Sequence, residues 1–249
     1  MLSAASRADQ CASLRTLGVM ETAVLAEFDG KLLDGLEFCS KVYKLYESIR
    51  STTAGPSRFR MRPTSLEKKL LEELLPICKY VQASYGPGRY MSVRWIDGNQ
   101  QYDAELLQRG AYISENCYPA NAYLEVTCTM HPNEYLSREL LEKKGSAFGL
   151  EGIRRLKNGD IESVPKGYTN REFVESYAEL VKDRMSSKGA KPYPKDTTLI
   201  VQCTLNMPYM PDEWTDLMTR VHPTLSGMPF REIYFYDTLG QHSLVAFPQ

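Results

Sequence analysis

The sequence predicts an α/β protein: a three-layer sandwich with a mixed central sheet flanked by helices, carrying an N-terminal helical extension. Three observations predict it. Two runs of alternating character, residues 89–96 and 101–108, flank Asp97-Gly98-Asn99, which is strong hairpin-turn chemistry. A third strand-like run, 122–130, follows a loop containing Asn116, Pro119 and Asn121. Much later, residues 197–205 (TTLIVQCTL) are almost continuously apolar, as in a strand buried on both faces. Helical segments separate that strand from the meander, so it joins the sheet by a parallel-type crossover.

The elements follow in order. Residues 1–24 are weakly patterned, and from Leu25 to Ile49 Phe28, Leu32, Leu36, Val42 and Leu45 recur at roughly helical spacing. Residues 51–63 combine small residues and breakers with Arg58, Arg60 and Arg62, which reads as a solvated basic linker or a phosphate-contacting arm. The extension and linker therefore cover 1–63 and the α/β domain 64–249. Thr64 and Glu67 have capping-box spacing and open a helix with an apolar stripe through Leu66, Leu70, Leu74, Ile77 and Val81. Pro76 should kink or shorten it.

A helix over 133–144 is stopped by Gly145, and a polar, glycine-punctuated stretch with Arg154, Arg155 and Lys157 runs to Gly167. Thr169 and Glu172 form a second capping box for a helix ending before Gly189. An amphipathic helix over 211–221 and strands over 231–236 and 243–247 complete the chain.

Composition excludes several classes. Thirty basic and thirty-one acidic residues give a net charge of −1, so any nucleic-acid affinity must come from a local patch. Six cysteines lack paired spacing and three histidines are dispersed, which argues against a zinc module and fits reduced thiols in the cytoplasm. No apolar run is long enough to span a bilayer.

The chemistry-bearing pattern is a carboxylate near the middle of each of two strands. Asp103 and Glu105 share a face of one strand; Glu125 and Thr127 share a face of the next. Buried carboxylates need compensation, and a hard divalent cation such as magnesium or manganese is a strong one. The alternative is a solvated face where both acids pair with arginines such as Arg89 or Arg94. Glu67 shares a helical line with Leu71, Leu74 and Cys78, so it suits either a capping role or a site-facing one.

This order of elements, with Asp103 in the second strand and Glu125 in the third, resembles the PD-(D/E)XK nuclease superfamily, the restriction-endonuclease-like fold. The resemblance covers residues 64–205 and implies a magnesium- or manganese-dependent nuclease acting on DNA, with Asp103 and Glu125 as metal ligands and Glu67 as an outer ligand. The usual lysine two positions after the glutamate is here Thr127. The resemblance then implies a substitute cation from a neighbouring helix, for which Lys143, Lys144 and Lys182 are candidates. A nuclease-like fold that no longer cuts, serving nucleic-acid binding or protein assembly, is the alternative. A homodimer or larger complex fits either.

Overall fold

The computed structural model describes residues 23–205, 209–240 and 242–248. Most of residues 1–24 therefore lie outside the described residues. The chain is an α/β protein with a mixed seven-stranded sheet and helices on both faces.

The elements are β1 (Leu32–Asp34), α1 (Gly35–Arg50), α2 (Gly55–Met61), α3 (Ser65–Lys69), a π-turn (Leu70–Leu74), α4 (Leu75–Ser84), β2 (Tyr90–Trp95) and β3 (Ala104–Arg109). Then come α5 (Ala111–Ser114), β4 (Asn121–Thr129), α6 (Glu134–Lys144), β5 (Ile153–Arg155), β6 (Ile161–Ser163) and α7 (Asn170–Gly189). The chain finishes with β7 (Thr197–Cys203), α8 (Pro211–Val221), β8 (Glu232–Asp237) and β9 (Ser243–Ala246). Sheet order is β1-β2-β3-β4-β7-β8-β9, antiparallel except for the parallel pairs β4–β7 and β7–β8.

Alternation along the buried strands divides the core. Ile200, Tyr234 and Tyr236 face the layer of α1, α3 and α4, while Leu199, Val201, Ile233 and Phe235 face α7 and α8. Both capping boxes form as the sequence implies, Thr64 with Glu67 and Thr169 with Glu172. The helix ending at Lys144 is closed by Gly145 in the left-handed region, φ 72°.

Two expectations need correction, and one stretch gains a structure. The boundary at residue 63 does not divide the core: β1 pairs with β2, and Leu25, Phe38, Val42 and Ile49 pack in the same cluster as Leu70, Ile77 and Val93. The basic linker is partly the helix α2, and its arginines are engaged with acids: Arg58 with Glu67, Arg60 with Glu142 and Arg62 with Glu72. The polar stretch after Gly145 folds as the β5–β6 hairpin, which packs Ile153 and Ile161 against Leu140 of α6.

Pro76 acts one turn earlier than a simple kink would. It has no N–H to donate to the Glu72 carbonyl, and the helix widens there, Leu75 N–H reaching back to Leu70 O. Cys128 Sγ donates to the freed Glu72 carbonyl at 3.7 Å. The extra residue in that turn rotates everything upstream by about 100° relative to a regular helix.

Candidate active site

The site lies where β3 and β4 part company. Their pairing runs from Leu107–Asn121 to Ala104–Leu124, whereas β4 continues to Thr129 beside β7. Beyond Leu124 no strand among the described residues pairs with that edge of β4, and a cleft of about 410 Å³ opens there. Asp103, Val126, Thr127, His131, Glu72, Glu73 and Arg184 line it.

Asp103 sits one residue before β3, because the hairpin loop is longer than Asp97-Gly98-Asn99: Ile96 N–H closes on Asp103 O at 3.0 Å. Its backbone N–H donates to Leu124 O at 2.8 Å, and its side-chain Oδ2 accepts the next N–H of β4, from Val126, at 2.7 Å. The carboxylate thus continues the ladder that the missing strand would have made. Strand geometry aims the Val126 carbonyl to the same side as its N–H.

Glu125 is buried on the adjacent strand, facing α7. It is ion-paired with Lys188 Nζ from the end of α7 and accepts the Tyr193 hydroxyl at 3.3 Å. Thr127 follows on the same face and is also buried. Glu73, from the π-turn, holds Trp95 Nε1 at 3.0 Å, and Glu72 accepts from Arg62 and from the Tyr135 hydroxyl.

These acids perturb one another. Burial, then the Glu125 charge, raises the Asp103 carboxyl from its ordinary 3.8 to about 7, against the lowering bond from Val126. Burial also raises Glu73, and burial lowers His131, so its imidazole is neutral at pH 7. Between about pH 4 and pH 7 the unfolded chain ionises Asp103 while the folded chain does not. Stability from this group is therefore full below about 3.8 and is lost as pH rises through about 7. In chelator, Tm should fall by about 5 °C more between pH 5 and pH 8 for the wild type than for Asp103→Asn, measured by thermal melts. Parallel pH profiles for the two proteins would refute the shift.

Of the residues singled out in the sequence, Asp103 and Thr127 line the cleft and Glu125 stands next to Val126 of its lining, near enough to act on the Asp103 charge, whereas Glu67, Lys143, Lys144 and Lys182 lie elsewhere. Glu67 is fully buried against Arg58, whose Nε donates at 2.6 Å, and it caps Thr64 instead of lining the cleft. Lys143 is paired with Glu139 at 2.7 Å and Lys182 with Glu179 at 2.8 Å, and Lys144 is exposed on α6. Six residues along a helix is about one and two-thirds turns, so Lys182 and Lys188 face apart. Glu105 pairs with Arg94 at 2.9 Å, and Arg89 belongs to a buried network with Tyr80, Gln108 and Glu232, so neither arginine neutralises the paired acids. Gln202 finds its partner in the Cys128 thiol, at 2.7 Å.

Sequence reasoning missed Glu72, Glu73, Lys188 and Tyr193. Trp95, fully buried with an indole N–H to satisfy, was the one local signal for Glu73. Among the described residues no group of three or more His, Cys, Asp or Glu side chains is placed to hold a metal ion. None of their helices is long and apolar enough to cross a membrane. No family model, curated protein or solved structure matches the chain.

Proposed function

We propose that this protein is a metal-dependent phosphodiester hydrolase, a divergent member of the restriction-endonuclease-like nucleases acting on nucleic acid, with DNA as the favoured substrate. The observation that carries it is the Asp103–Glu125 pair at the divergence of β3 and β4, two acids close enough that the charge of one raises the pKa of the other. The donor set suits a hard cation: two carboxylates and the Val126 carbonyl, with waters completing an octahedron. Bound magnesium or manganese would supply Lewis-acid polarisation of the scissile phosphate and acidify a coordinated water.

The chain's own residues account for the rest. Asp103 is anchored by Val126 N–H, which fixes its plane. Lys188 replaces the lysine missing at position 127, and Arg184 adds a second α7 cation at the cleft rim, so phosphate charge is balanced locally on a chain of net charge −1. The Thr127 hydroxyl stands on the Glu125 face, within the cleft lining. Cleavage of end-labelled DNA and RNA in magnesium, manganese and chelator tests the assignment; absence of metal-dependent products on every substrate rejects it.

Lys188 and Val126 favour a second reading. Both acids already have partners without a cation, as expected of a nuclease-like module that binds or assembles but does not cut. Lys188→Met separates the two. In a nuclease it should lower cleavage by about a hundredfold while tightening manganese binding, because a phosphate partner is lost and Glu125 is released. Unchanged manganese affinity in calorimetry, with no cleavage by either protein, favours the module.

A further inference from the structure

The acid cleft does not end at His131. The same imidazole lines a second cavity, of about 370 Å³, set between α6, the segment leading into the β5–β6 hairpin, and the start of α7. Its chemistry is different. Phe148, Tyr168, Phe173 and Leu141 are among its lining, with Glu151 and Asn170 contributing polar edges.

Two details point to a flat, polar-edged ligand. Phe148 is 55% exposed although its backbone N–H is held by Ser163 Oγ at 3.3 Å, so a fixed backbone presents this aromatic residue to the cavity. The Tyr168 hydroxyl turns away from solvent with the Glu151 carboxylate as its neighbour, so a ligand's polar edge would meet a donor and an acceptor side by side. Burial, then the nearby Glu151 carboxylate, raises it to about 12, so it keeps its proton as a donor. His131 Nδ1 accepts Asn133 N–H at 3.1 Å, which sets the tautomer with its proton on Nε2.

We propose that this cavity takes one unpaired nucleobase of the strand whose phosphate enters the acid cleft, with the base stacked on Phe148 and its edge met by Tyr168. The substrate class is then single-stranded or locally opened nucleic acid. An intact duplex keeps its bases stacked and paired, and extruding one costs a few kcal/mol. Aromatic walls beside a cleft that has Arg184 of α7 on its lining are what a single-strand path requires. This rests on the phosphodiesterase reading of the first cleft.

The test is fluorescence titration of the Asp103→Asn protein, in chelator and at low salt, with a short single strand carrying one 2-aminopurine. Saturable quenching is expected, about tenfold weaker binding after Phe148→Ala, near-normal binding after Phe148→Tyr, and weaker binding after Tyr168→Phe. The matched duplex and the free 2-aminopurine nucleoside should each bind at least about tenfold more weakly. The proposal is overturned by absence of quenching, by quenching that ignores Phe148→Ala and Tyr168→Phe, by a duplex bound equally well, or by a nucleoside bound as tightly as the strand. The readout needs no catalysis. Quenching without wild-type cleavage would sink the hydrolase and keep the base cavity, whereas cleavage without quenching would do the reverse.

Discussion

Asp103→Asn and Glu125→Gln are each expected to lower magnesium-dependent cleavage by about a thousandfold or more while leaving the fold intact. Each removes one of two anionic ligands, and a metal ion supplies several kcal/mol of transition-state stabilisation, at 1.36 kcal/mol per decade of rate. The fold survives because the replacements are isosteric. The amide oxygen introduced by Asp103→Asn can still accept Val126 N–H, and the one introduced by Glu125→Gln can still accept from Tyr193. Asp103→Asn also relieves the repulsion from Glu125, so at pH 8 in chelator it should melt at or above the wild-type temperature. Either variant cutting at the wild-type rate in magnesium would end the assignment of these acids.

Glu67→Ala is expected to do the opposite, destabilising the protein without a specific catalytic defect. The glutamate side chain is fully buried, whereas its partner Arg58 is 32% exposed. Removing one member of a buried pair costs about 3–5 kcal/mol, and the low end applies here because Arg58 can turn towards water. The loss of the capping box adds about 1 kcal/mol. Together these lower Tm by about 10 °C. At a temperature where the variant is folded, cleavage per folded molecule should match the wild type. A collapse of kcat with little change in Tm would instead place Glu67 among the metal-site residues, as the nuclease resemblance implies.

Much of the scaffold was legible residue by residue. Thr64 and Thr169 announced helix starts through their partners three positions on, Gly145 announced a stop, and the run 197–203 announced a strand covered on both faces. That Asp103 and Glu125 stand near one another was legible in part, from their places in neighbouring runs of the sequence, although Asp103 falls one residue short of β3. The stripe of Leu66, Leu70, Leu74, Ile77 and Val81 is buried as its spacing predicts, and of the two roles open to Glu67 it takes the capping one. The π-turn beside Pro76 inserts a residue without changing composition, and so brings Glu72 and Glu73 to the cleft instead of Glu67.

The sequence by itself determined the order of helices and strands, their caps and the two strand acids, because these depend on interactions within a few residues along the chain. Only the tertiary structure decided which cation meets Glu125, that Arg58, Arg60 and Arg62 are consumed by Glu67, Glu142 and Glu72, and that β3 starts too late for any described strand to pair with the far part of that β4 edge. Lys188 lies 63 positions from Glu125 in the chain, and no local pattern encodes a contact made by folding one layer over another. Coulomb attraction and burial depend on distance in space, so they choose among candidates that are equivalent in sequence.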